Sequence, residues 1–243
     1  MSVAVELRNI RKNYLMGDVK VQALKEVSFS INEGEFACLS GPSGSGKSTL
    51  LNIIGLIDLP TSGKVFLNGK DIYSSVELKD GLKLKGKLDA ELTDLRREEL
   101  GFIFQNFNLV PVLNVEENIS LPLKLGESRV IREMSASQKK EWVDFLIETV
   151  GLTQWKKHKP SELSGGQRQR VAVARALVTK AGIILADEPT ANLDQKNGDQ
   201  ILDLMKKLNE ELGTTFIFST HDAKIVNMCN RVIRIMDGSV VQS

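Results

Sequence analysis

The sequence predicts an α/β protein built around a mostly parallel β-sheet. From residue 164 onward, short apolar runs alternate with amphipathic helical patterns, an order that places successive strands side by side and covers them with helices. The chain has 243 residues, of which 42% are hydrophobic and 26% charged, so it can bury the core that such a sheet requires. Ligands are expected at the carboxyl ends of the strands.

The first part of the chain is predicted to form short strands that lead into a glycine-rich loop. The apolar run Phe36–Ser40 indicates a buried strand, in which Cys38 is expected to be a small core residue. Apolar–polar alternation and helical spacing predict the elements around it. These are strands at residues 3–7 and 27–31, a turn at 32–35, a helix at 48–57 and a strand at 64–67.

Residues 74–99 form a charged stretch that is rich in Lys, Glu and Asp. Leucines recur at helical spacing from Leu88 to Leu95, so part of the stretch is predicted to be an amphipathic helix. Gly81 and Gly86 are expected to interrupt it. A solvated surface excursion is the favoured interpretation, and a helix that contacts a partner is the alternative.

Residues 106–162 are predicted to be mostly helical after an irregular start. Pro111 and Pro122 are expected to bracket the segment that leads into this helical part. The spacing of apolar residues predicts an amphipathic helix over residues 137–150, with Trp142 packed between helices.

The C-terminal part returns to alternating strands and helices, each predicted from its apolar spacing. The elements are a helix at residues 168–178, a strand at 183–186, a helix at 199–212, a strand at 215–219, a helix at 223–229, and strands at 232–236 and 239–241 around the turn Asp237-Gly238.

Charge patterning gives no argument for a nucleic-acid partner, and none is expected. Lys and Arg number 32 against 31 for Asp and Glu, which gives a net charge of +1, so no excess of positive charge is available for phosphate backbones. The basic tract at residues 156–159 is interpreted as a solvated face. His158 within it has no ligand companions and is assigned no chemistry.

Nothing in the sequence suggests that the chain itself crosses a membrane. No run approaches the about 20 consecutive apolar residues that a spanning helix needs, and residues 1–15 lack the hydrophobic region of a signal peptide. If the chain serves a membrane, we expect it to dock on a partner that crosses one. Its two cysteines, Cys38 and Cys229, form no metal-ligand pattern and fit a reducing cytosol.

The chemistry begins with the phosphate-loop pattern GxxxxGKS, which follows a predicted strand and precedes a predicted helix. Its glycines let the backbone approach the phosphate groups without a Cβ collision. Lys47 can reach the β and γ phosphates, and the hydroxyl group of Ser48 can ligate Mg²⁺. We therefore expect a nucleoside triphosphate at Gly41, Pro42, Ser43, Gly44, Ser45, Gly46, Lys47, Ser48 and Thr49.

Two carboxylates, Asp187 and Glu188, end the apolar strand at residues 183–186. Asp187 at the strand tip is placed to hold the Mg²⁺ shell. Glu188, one residue further on, is the candidate general base that orients and deprotonates the attacking water. The alternative is that the pair is only an acidic turn after a core strand. This interpretation is less favoured because the same sequence contains a phosphate loop.

A second glycine-bearing turn, Leu163-Ser164-Gly165-Gly166-Gln167, also opens a predicted helix, whose partial positive charge favours an anion. Here the chain resembles the nucleotide-binding subunit of ATP-binding-cassette (ABC) transporters, whose signature motif this is. The resemblance spans essentially the whole chain. It implies a homodimer that sandwiches two ATP molecules, in which the signature of one subunit faces the γ-phosphate bound by the other.

The same resemblance implies roles for four further residues. Tyr14 matches an aromatic residue that stacks on adenine, and Gln105 matches a glutamine that touches Mg²⁺ and the attacking water. Asp194, in Asn192-Leu193-Asp194, matches the loop that bridges the two subunits. His221 matches a histidine that contacts the γ-phosphate. The catalytic set is thus Glu188, His221, Gln105 and Lys47, with ATP and Mg²⁺ as cofactors.

The resemblance also implies the architecture. It predicts a P-loop NTPase core of the RecA-like type with an antiparallel β subdomain and an inserted α-helical subdomain, all within one ABC ATPase domain at residues 1–243. The core lobe is expected at residues 1–105 and 165–243, the helical lobe at about 106–164 and a charged insertion at about 74–99.

Residues 101–111 and the segment that follows them resemble one branch of the family, which contains macrolide exporters, lipoprotein-release ATPases and a cell-division ATPase. This branch implies an integral membrane permease subunit that docks near Gln105 and the helical lobe, and a peripheral location on the cytoplasmic face of the membrane. ATP hydrolysis would then drive export, lipoprotein release or mechanotransmission. The charged insertion is longer than expected for the branch.

Two other functions are weighed against this one. A regulatory scaffold would use nucleotide state as a switch with slow turnover, and the intact Glu188 argues against a dead enzyme. A soluble ABC protein that acts on nucleic acid or ribosomes would carry two cassettes or a long coiled coil, whereas this sequence has one cassette and no sustained heptads.

Overall fold

The computed structural model describes residues 2–17, 19–79, 82 and 86–242, and these form two β-sheets with helices packed around them. In chain order the strands are β1 (Val3–Met16), β2 (Val19–Asn32), β3 (Phe36–Ser40), β4 (Ser62–Leu67), β5 (Lys70–Asp71), β6 (Leu100–Ile103), β7 (Ile183–Asp187), β8 (Thr215–Thr220), β9 (Arg231–Met236) and β10 (Ser239–Gln242).

The helices lie between and after these strands. They are α1 (Lys47–Ile54), α2 (Lys87–Glu99), α3 (Val115–Leu125), α4 (Arg129–Arg132), α5 (Ala136–Thr149), α6 (Gly165–Leu177), α7 (Gln195–Leu212) and α8 (Ala223–Met228), with single 3₁₀ turns at Thr153–Trp155 and Pro160–Glu162. Within the described ranges, no helix combines the length and the apolar character needed to span a membrane.

The larger sheet confirms the predicted α/β fold. Its six strands run in the order β10-β9-β3-β8-β7-β6, and every pair is parallel except β9 with β10. The smaller sheet, in the order β2-β1-β4-β5, is antiparallel throughout. Helices α3, α4 and α5 lie between β6 and α6 in the chain, as the predicted helical insertion requires.

The central strands of the larger sheet are buried on both faces. Successive residues of a strand point to opposite sides, and here Leu39 belongs to one apolar cluster and Cys38 to the other. On β8, Ile217 likewise belongs to the first cluster and Phe216 to the second. The sheet is therefore fixed between two cores, and the carboxyl ends of β3, β7 and β8 are held in register. The expectation that Cys38 is a core residue is confirmed.

The hairpin of β1 and β2 is longer than predicted, since each strand has 14 residues. Its pairing shifts register at several points, including between Leu7 and Ile10 and between Ile10 and Lys12. Each shift moves the following side chains to a different face, so apolar alternation stops at places where the backbone pairing continues.

Helix boundaries differ from the predictions where capping residues decide them. Helix α6 begins at Gly165 rather than residue 168, because Ser164 and Gln167 form a reciprocal capping box. Helix α7 begins at Gln195 rather than residue 199, because the side chain of Asp194 accepts a hydrogen bond from the backbone of Asn197. Helix α1 ends at Ile54 rather than residue 57.

Pro122 lies inside α3 and does not bracket the segment before it, so this prediction was wrong. A proline in a helix removes one backbone hydrogen bond, and α3 continues for only three residues beyond it. The start of α3 is instead marked by a capping box between Asn114 and Glu117. The predicted helix at residues 137–150 is α5, and Trp142 packs between it and the end of α6, where Nε1 donates to the carbonyl oxygen of Val178 at 3.0 Å.

The charged stretch contains the predicted helix, α2, whose Leu92 is buried in the core beneath it. Gly86 immediately precedes the helix with a φ of 61°, and Gly81 lies outside the described residues. The basic tract is solvated as predicted at Lys157, His158 and Lys159, which are exposed. Lys156 is half-buried and pairs with Asp144 at 2.5 Å and with Glu116 at 3.3 Å, which ties the tract to α5 and α3.

Candidate functional site

Two glycines of the loop between β3 and α1 cannot take a Cβ atom without a clash. Gly46 has a φ of 106°, and a Cβ atom there would lie 2.8 Å from Leu24 Cδ2 and 3.0 Å from the carbonyl oxygen of Ala23. A Cβ atom on Gly41 would lie 2.1 Å from the carbonyl oxygen of Ile235. The backbone is therefore pressed against the β1–β2 hairpin on one side and β9 on the other.

The N-terminus of α1 is open to an anion. Gly46 occupies the capping position, and none of the described side chains caps the helix, so its first amide groups remain available as donors. The ammonium group of Lys47 is buried against the loop, where Nζ donates to the carbonyl oxygens of Gly41 at 2.8 Å and Pro42 at 2.9 Å. It can exchange these neutral acceptors for phosphate oxygens, which attract it more strongly.

A cavity of about 540 Å³ lies over this loop and extends to the ends of β7 and β8. It brings together residues that are far apart in the sequence. Its lining residues are Ala23, Pro42, Ser43, Gly44, Gly46, Lys47, Ser48, Thr49, Gln105, Glu188, Ala191 and His221.

Asp187 is the last residue of β7, and its Oδ1 accepts a hydrogen bond from Ser48 Oγ at 3.4 Å. These two oxygens suit Mg²⁺, which prefers hard oxygen ligands and usually takes only one or two of them from protein. Among the described residues, no group of three or more His, Cys, Asp or Glu side chains forms a metal site. The donor set therefore fits an ion that completes its shell with phosphate oxygens and water.

Glu188 follows Asp187 in a left-handed conformation, with a φ of 43°. Its backbone amide donates to the carbonyl oxygen of Ser219 at 2.9 Å, which fixes it to the neighbouring strand β8. Its carboxylate is contacted on both oxygens: Oε1 lies 2.7 Å from Nδ1 of His221, and Oε2 accepts from Thr220 Oγ1 at 3.3 Å. The positive φ turns the side chain out of the strand direction and into the cavity.

Gln105 also lines the cavity and lies two residues after β6 ends. Its carbonyl oxygen accepts a hydrogen bond from Asn192 Nδ2 at 2.9 Å, and the same amide nitrogen donates to Asn106 Oδ1 at 3.0 Å. The segment that leaves β6 is thus tied to the loop that precedes α7.

Tyr14 does not line the cavity but lies next to it. Its hydroxyl group donates to Asp58 Oδ2 at 2.6 Å. Burial, followed by the hydrogen bond to Asp58, raises the pKa of Tyr14 to about 12, while the nearby side chain of Thr49, a lining residue, acts in the opposite direction. The hydroxyl group therefore keeps its proton at neutral pH and remains a donor.

The glycine-bearing turn at residues 164–167 lies elsewhere on the chain. Ser164 Oγ accepts from the backbone of Gln167 at 3.3 Å, and Gln167 Oε1 accepts from the backbone of Ser164 at 2.8 Å. Asp194 is close by in the fold, because Leu193 and Asn197 on either side of it approach Gly165 and Gly166. The cavity is lined neither by the described residues of this turn nor by Asp194.

Sequence reasoning missed several residues of the site. Ala23 lines the cavity because the β1–β2 hairpin passes over the loop, and Thr220 contacts Glu188 because β7 and β8 are paired. Thr220 could have been found, since it directly precedes His221 at the end of the strand predicted over residues 215–219. Asp58 carries no signal of its own, because it meets Tyr14 across 44 residues of sequence.

The family model described as "ABC transporter" matches residues 24–191 of the chain. An uncharacterised ABC transporter ATP-binding protein of Methanocaldococcus jannaschii, MJ0796, is 44% identical over 237 residues, which cover 97% of this chain and 94% of that protein.

A solved structure of the same cassette, described as a dimeric post-hydrolysis state bound to ADP and Pi, matches with a TM-score of 0.81 at 44% identity. The match covers 98% of this chain and 97% of that chain. The agreement in fold therefore extends over both sheets and the helices between them.

Two further relatives carry functional names. The lipoprotein-releasing system ATP-binding protein LolD 1 of Rhodopseudomonas palustris is 40% identical over 242 residues, which cover 99% of both chains. The macrolide export ATP-binding/permease protein MacB of Bdellovibrio bacteriovorus is 43% identical over 239 residues, which cover 98% of this chain but 33% of that protein. The chain thus corresponds to about a third of that relative.

Proposed function

The chain belongs to the ABC transporter family, within the branch that contains MacB and LolD, and we propose that it binds and hydrolyses ATP to drive a membrane partner. One observation carries this proposal. A single cavity is lined by the phosphate loop, including Lys47 and Ser48, and by Glu188 and His221.

We propose that ATP lies with its phosphates along the loop at residues 41–49. The backbone amides at the start of α1 and the ammonium group of Lys47 would bind the β- and γ-phosphate oxygens. Ser48 and Asp187 would hold Mg²⁺, with Gln105 beside it, and the bound ion would offset the negative charge of the phosphates. Tyr14 would lie against the adenine, next to the cavity.

Hydrolysis then rests on the carboxylate of Glu188. A water molecule between this carboxylate and the γ-phosphorus attacks in line, Glu188 accepts its proton, and the bond from the γ-phosphorus to the β–γ bridging oxygen breaks to give ADP and phosphate. His221 and Thr220 hold the two oxygens of the carboxylate, so that it faces the water in one orientation. His221 also lines the cavity, and in this proposal it would contact the γ-phosphate.

We further propose that two copies of the chain complete each site. The turn at residues 164–167 lies away from the cavity of its own chain, yet its helix N-terminus is suited to an anion. A second copy would present this turn to the γ-phosphate, with Asp194 contacting the facing subunit. The solved cassette MJ0796, which is 44% identical, is described as dimeric.

A groove of about 480 Å³ beside Gln105 supports a docking site for a membrane subunit. It lies between α2 and β6 on one side and α3 and α6 on the other, with an apolar floor that includes Phe102 and Phe104 and an exposed Leu125 at its rim. Arg96, Arg97 and Arg175 line it as well. Such a groove suits a short amphipathic helix with acidic side chains.

In this arrangement the lobes have different tasks. We propose that residues 1–105 and 165–243 form the core lobe that binds nucleotide, that residues about 106–164 form the helical lobe beside the groove, and that the charged stretch at about 74–99 is an insertion whose helix α2 forms one wall. The chain would work at the cytoplasmic face of the membrane.

ATP turnover by the purified chain tests the proposal directly. We expect phosphate release from ATP that depends on added Mg²⁺ and is abolished by EDTA, and a rise in turnover when the membrane subunit is present. A chain that binds ATP but whose turnover is negligible with and without the membrane subunit would instead be a nucleotide-dependent switch. A chain that fails to bind ATP would contradict the proposal.

A further inference from the structure

Three side chains beside the nucleotide cavity form a contact group, made of Lys12 and Tyr14 on β1 and Asp58 just beyond α1. Asp58 uses both carboxylate oxygens: Oδ2 accepts from the hydroxyl group of Tyr14 at 2.6 Å, and Oδ1 accepts from Lys12 Nζ at 2.5 Å. The backbone amide of Leu59 also donates to Oδ1, at 2.8 Å. The contacts with Lys12 and Leu59 therefore hold the carboxylate in position independently of Tyr14.

Lys12 is placed to act on the ring of Tyr14 as well. Its side chain is buried, and Nζ also donates to the carbonyl oxygen of Leu59 at 2.7 Å. The ammonium group lies over the tyrosine ring, 4.7 Å from the centroid, which is within the range of a cation–π contact. One face of the ring is thus occupied by a cation, and the side chain of Tyr14 is nevertheless exposed to solvent.

The hydroxyl group of Tyr14 also connects two parts of the site. Thr49, whose side chain is near enough to lower the pKa of Tyr14, lies in the first turn of α1 and lines the nucleotide cavity. Asp58 follows the other end of the same helix. Through Asp58, the tyrosine of the β1–β2 hairpin is therefore linked to the segment that follows the helix whose N-terminus borders the phosphate loop.

We propose that Asp58 and Lys12 are positioning residues that orient the ring of Tyr14, so that the face opposite Lys12 stacks on the base of the bound nucleotide. This inference rests on the proposed function. Asp58 fixes the angle of the ring through the hydroxyl group. Lys12 draws electron density from the ring, and an electron-poor ring stacks better on an electron-rich purine.

The competing explanation is that the group only ties the smaller sheet to α1. Both explanations predict a loss of stability when Asp58 is changed, because Lys12 would be left as a buried charge without its partner. They differ in the ligand that is affected. Positioning acts on the base alone, whereas a distorted fold would weaken contacts to the phosphates as well.

The test compares two ligands on the full chain by titration calorimetry in EDTA, where no turnover occurs. The ligands are ATP and inorganic tripolyphosphate, which lacks the base and the sugar. Removing the ring with Tyr14→Ala should weaken ATP binding by about fivefold to a hundredfold, which is the size of one stacking contact. Tyr14→Phe and Asp58→Asn should each weaken it by about twofold to tenfold, the size of one hydrogen bond.

Tripolyphosphate binding should stay the same in all three variants. Tyr14→Phe leaves the pair between Lys12 and Asp58 intact. If Asp58→Asn proves unstable in a thermal melt, Tyr14→Phe alone still tests whether the orientation of the ring affects ATP binding. Asp203→Asn, which makes the same chemical change at an exposed position of α7, is the matched control and should bind both ligands normally.

Three results would overturn the inference. Equal losses for ATP and tripolyphosphate would show that the group is only structural. Unchanged ATP binding in both Tyr14→Phe and Asp58→Asn would show that the orientation of the ring does not matter. Wild-type chain that binds neither ligand would refute the proposed function itself and the inference with it.

Discussion

Oε1 of Glu188 lies 2.7 Å from Nδ1 of His221, although the two residues are 33 positions apart in the sequence. The contact exists because β7 and β8 are parallel neighbours, with Asp187 opposite Ser219. Each residue comes shortly after the end of its strand, at the edge where parallel sheets place their ligands. The site is therefore a direct product of strand order.

The first prediction concerns the carboxylate itself. Glu188→Gln keeps the shape of the side chain but removes its ability to accept a proton, so hydrolysis should slow by about a hundredfold or more while ATP still binds. The unhydrolysed nucleotide should then hold two copies of the chain together. Size-exclusion chromatography with ATP and Mg²⁺ measures the oligomeric state. A variant that elutes only as monomer would count against the proposed dimer that encloses two ATP molecules.

Thr220 gives a second prediction. Its buried hydroxyl group donates to Glu188 Oε2 at 3.3 Å and accepts from the backbone of Asp222 at 3.0 Å. Thr220→Val removes the hydroxyl group at nearly the same volume, and we expect kcat to fall by about threefold to tenfold with little change in KM for ATP.

Thr220→Ser retains the hydroxyl group and is the matched control, so it should restore most of the turnover. A merely structural role predicts another pattern, in which both substitutions lower the thermal midpoint and affect KM and kcat together. Full activity in Thr220→Val would refute the positioning of Glu188 by this residue.

The third prediction addresses Lys47. Its ammonium group is already close to the loop carbonyl oxygens of Gly41 and Pro42, so little reorganisation is needed for it to reach a phosphate. Lys47→Ala removes a charged hydrogen-bond donor, and ATP affinity should fall by about tenfold to a hundredfold. Calorimetric titration measures the loss, and Lys207→Ala on the exposed side of α7 serves as a control that should bind normally.

Much of the fold could be predicted because its signals are local. Residues 36–39 are an uninterrupted apolar run between a turn and a glycine loop, and with Ser40 they form β3 with the predicted ends. The strand before Asp187 is just as clear. In both cases the strand is buried on two faces and therefore has a nearly continuous apolar sequence. The functional residues follow directly after it.

The remaining features depend on contacts that the sequence does not encode locally. The β1–β2 hairpin loses its alternation at register shifts. Pro122 sits within α3, where the packing of the helical part outweighs the low helix propensity of proline. Asp58 joins the site through Tyr14 and Lys12, which lie more than 40 residues earlier. Long-range pairings of this kind follow from topology rather than from any motif.

The last prediction tests whether the turn at residues 164–167 acts on the other subunit. In a single chain this turn is not part of the cavity lining among the described residues, so we expect a second copy to bring it to the nucleotide. Gly165→Asp places a negative charge where the γ-phosphate would be bound. The helix itself should tolerate the change, since acidic residues are favourable in a first turn. A Cβ atom there would lie 3.3 Å from the flexible side chain of Leu193 and 3.7 Å from the carbonyl oxygen of Asn192, which is ordinary contact distance.

We expect Gly165→Asp and Lys47→Ala chains to be nearly inactive alone and to regain activity when mixed. In a mixed dimer one site carries both defects and the other carries none. With random pairing, half of the dimers are mixed and each has one intact site of two, so turnover should recover to roughly a quarter of the wild-type value if sites act independently. Phosphate release at equal total protein measures this recovery. If each chain used its own turn, every site in the mixture would retain one defect, and no recovery would be seen at any mixing ratio.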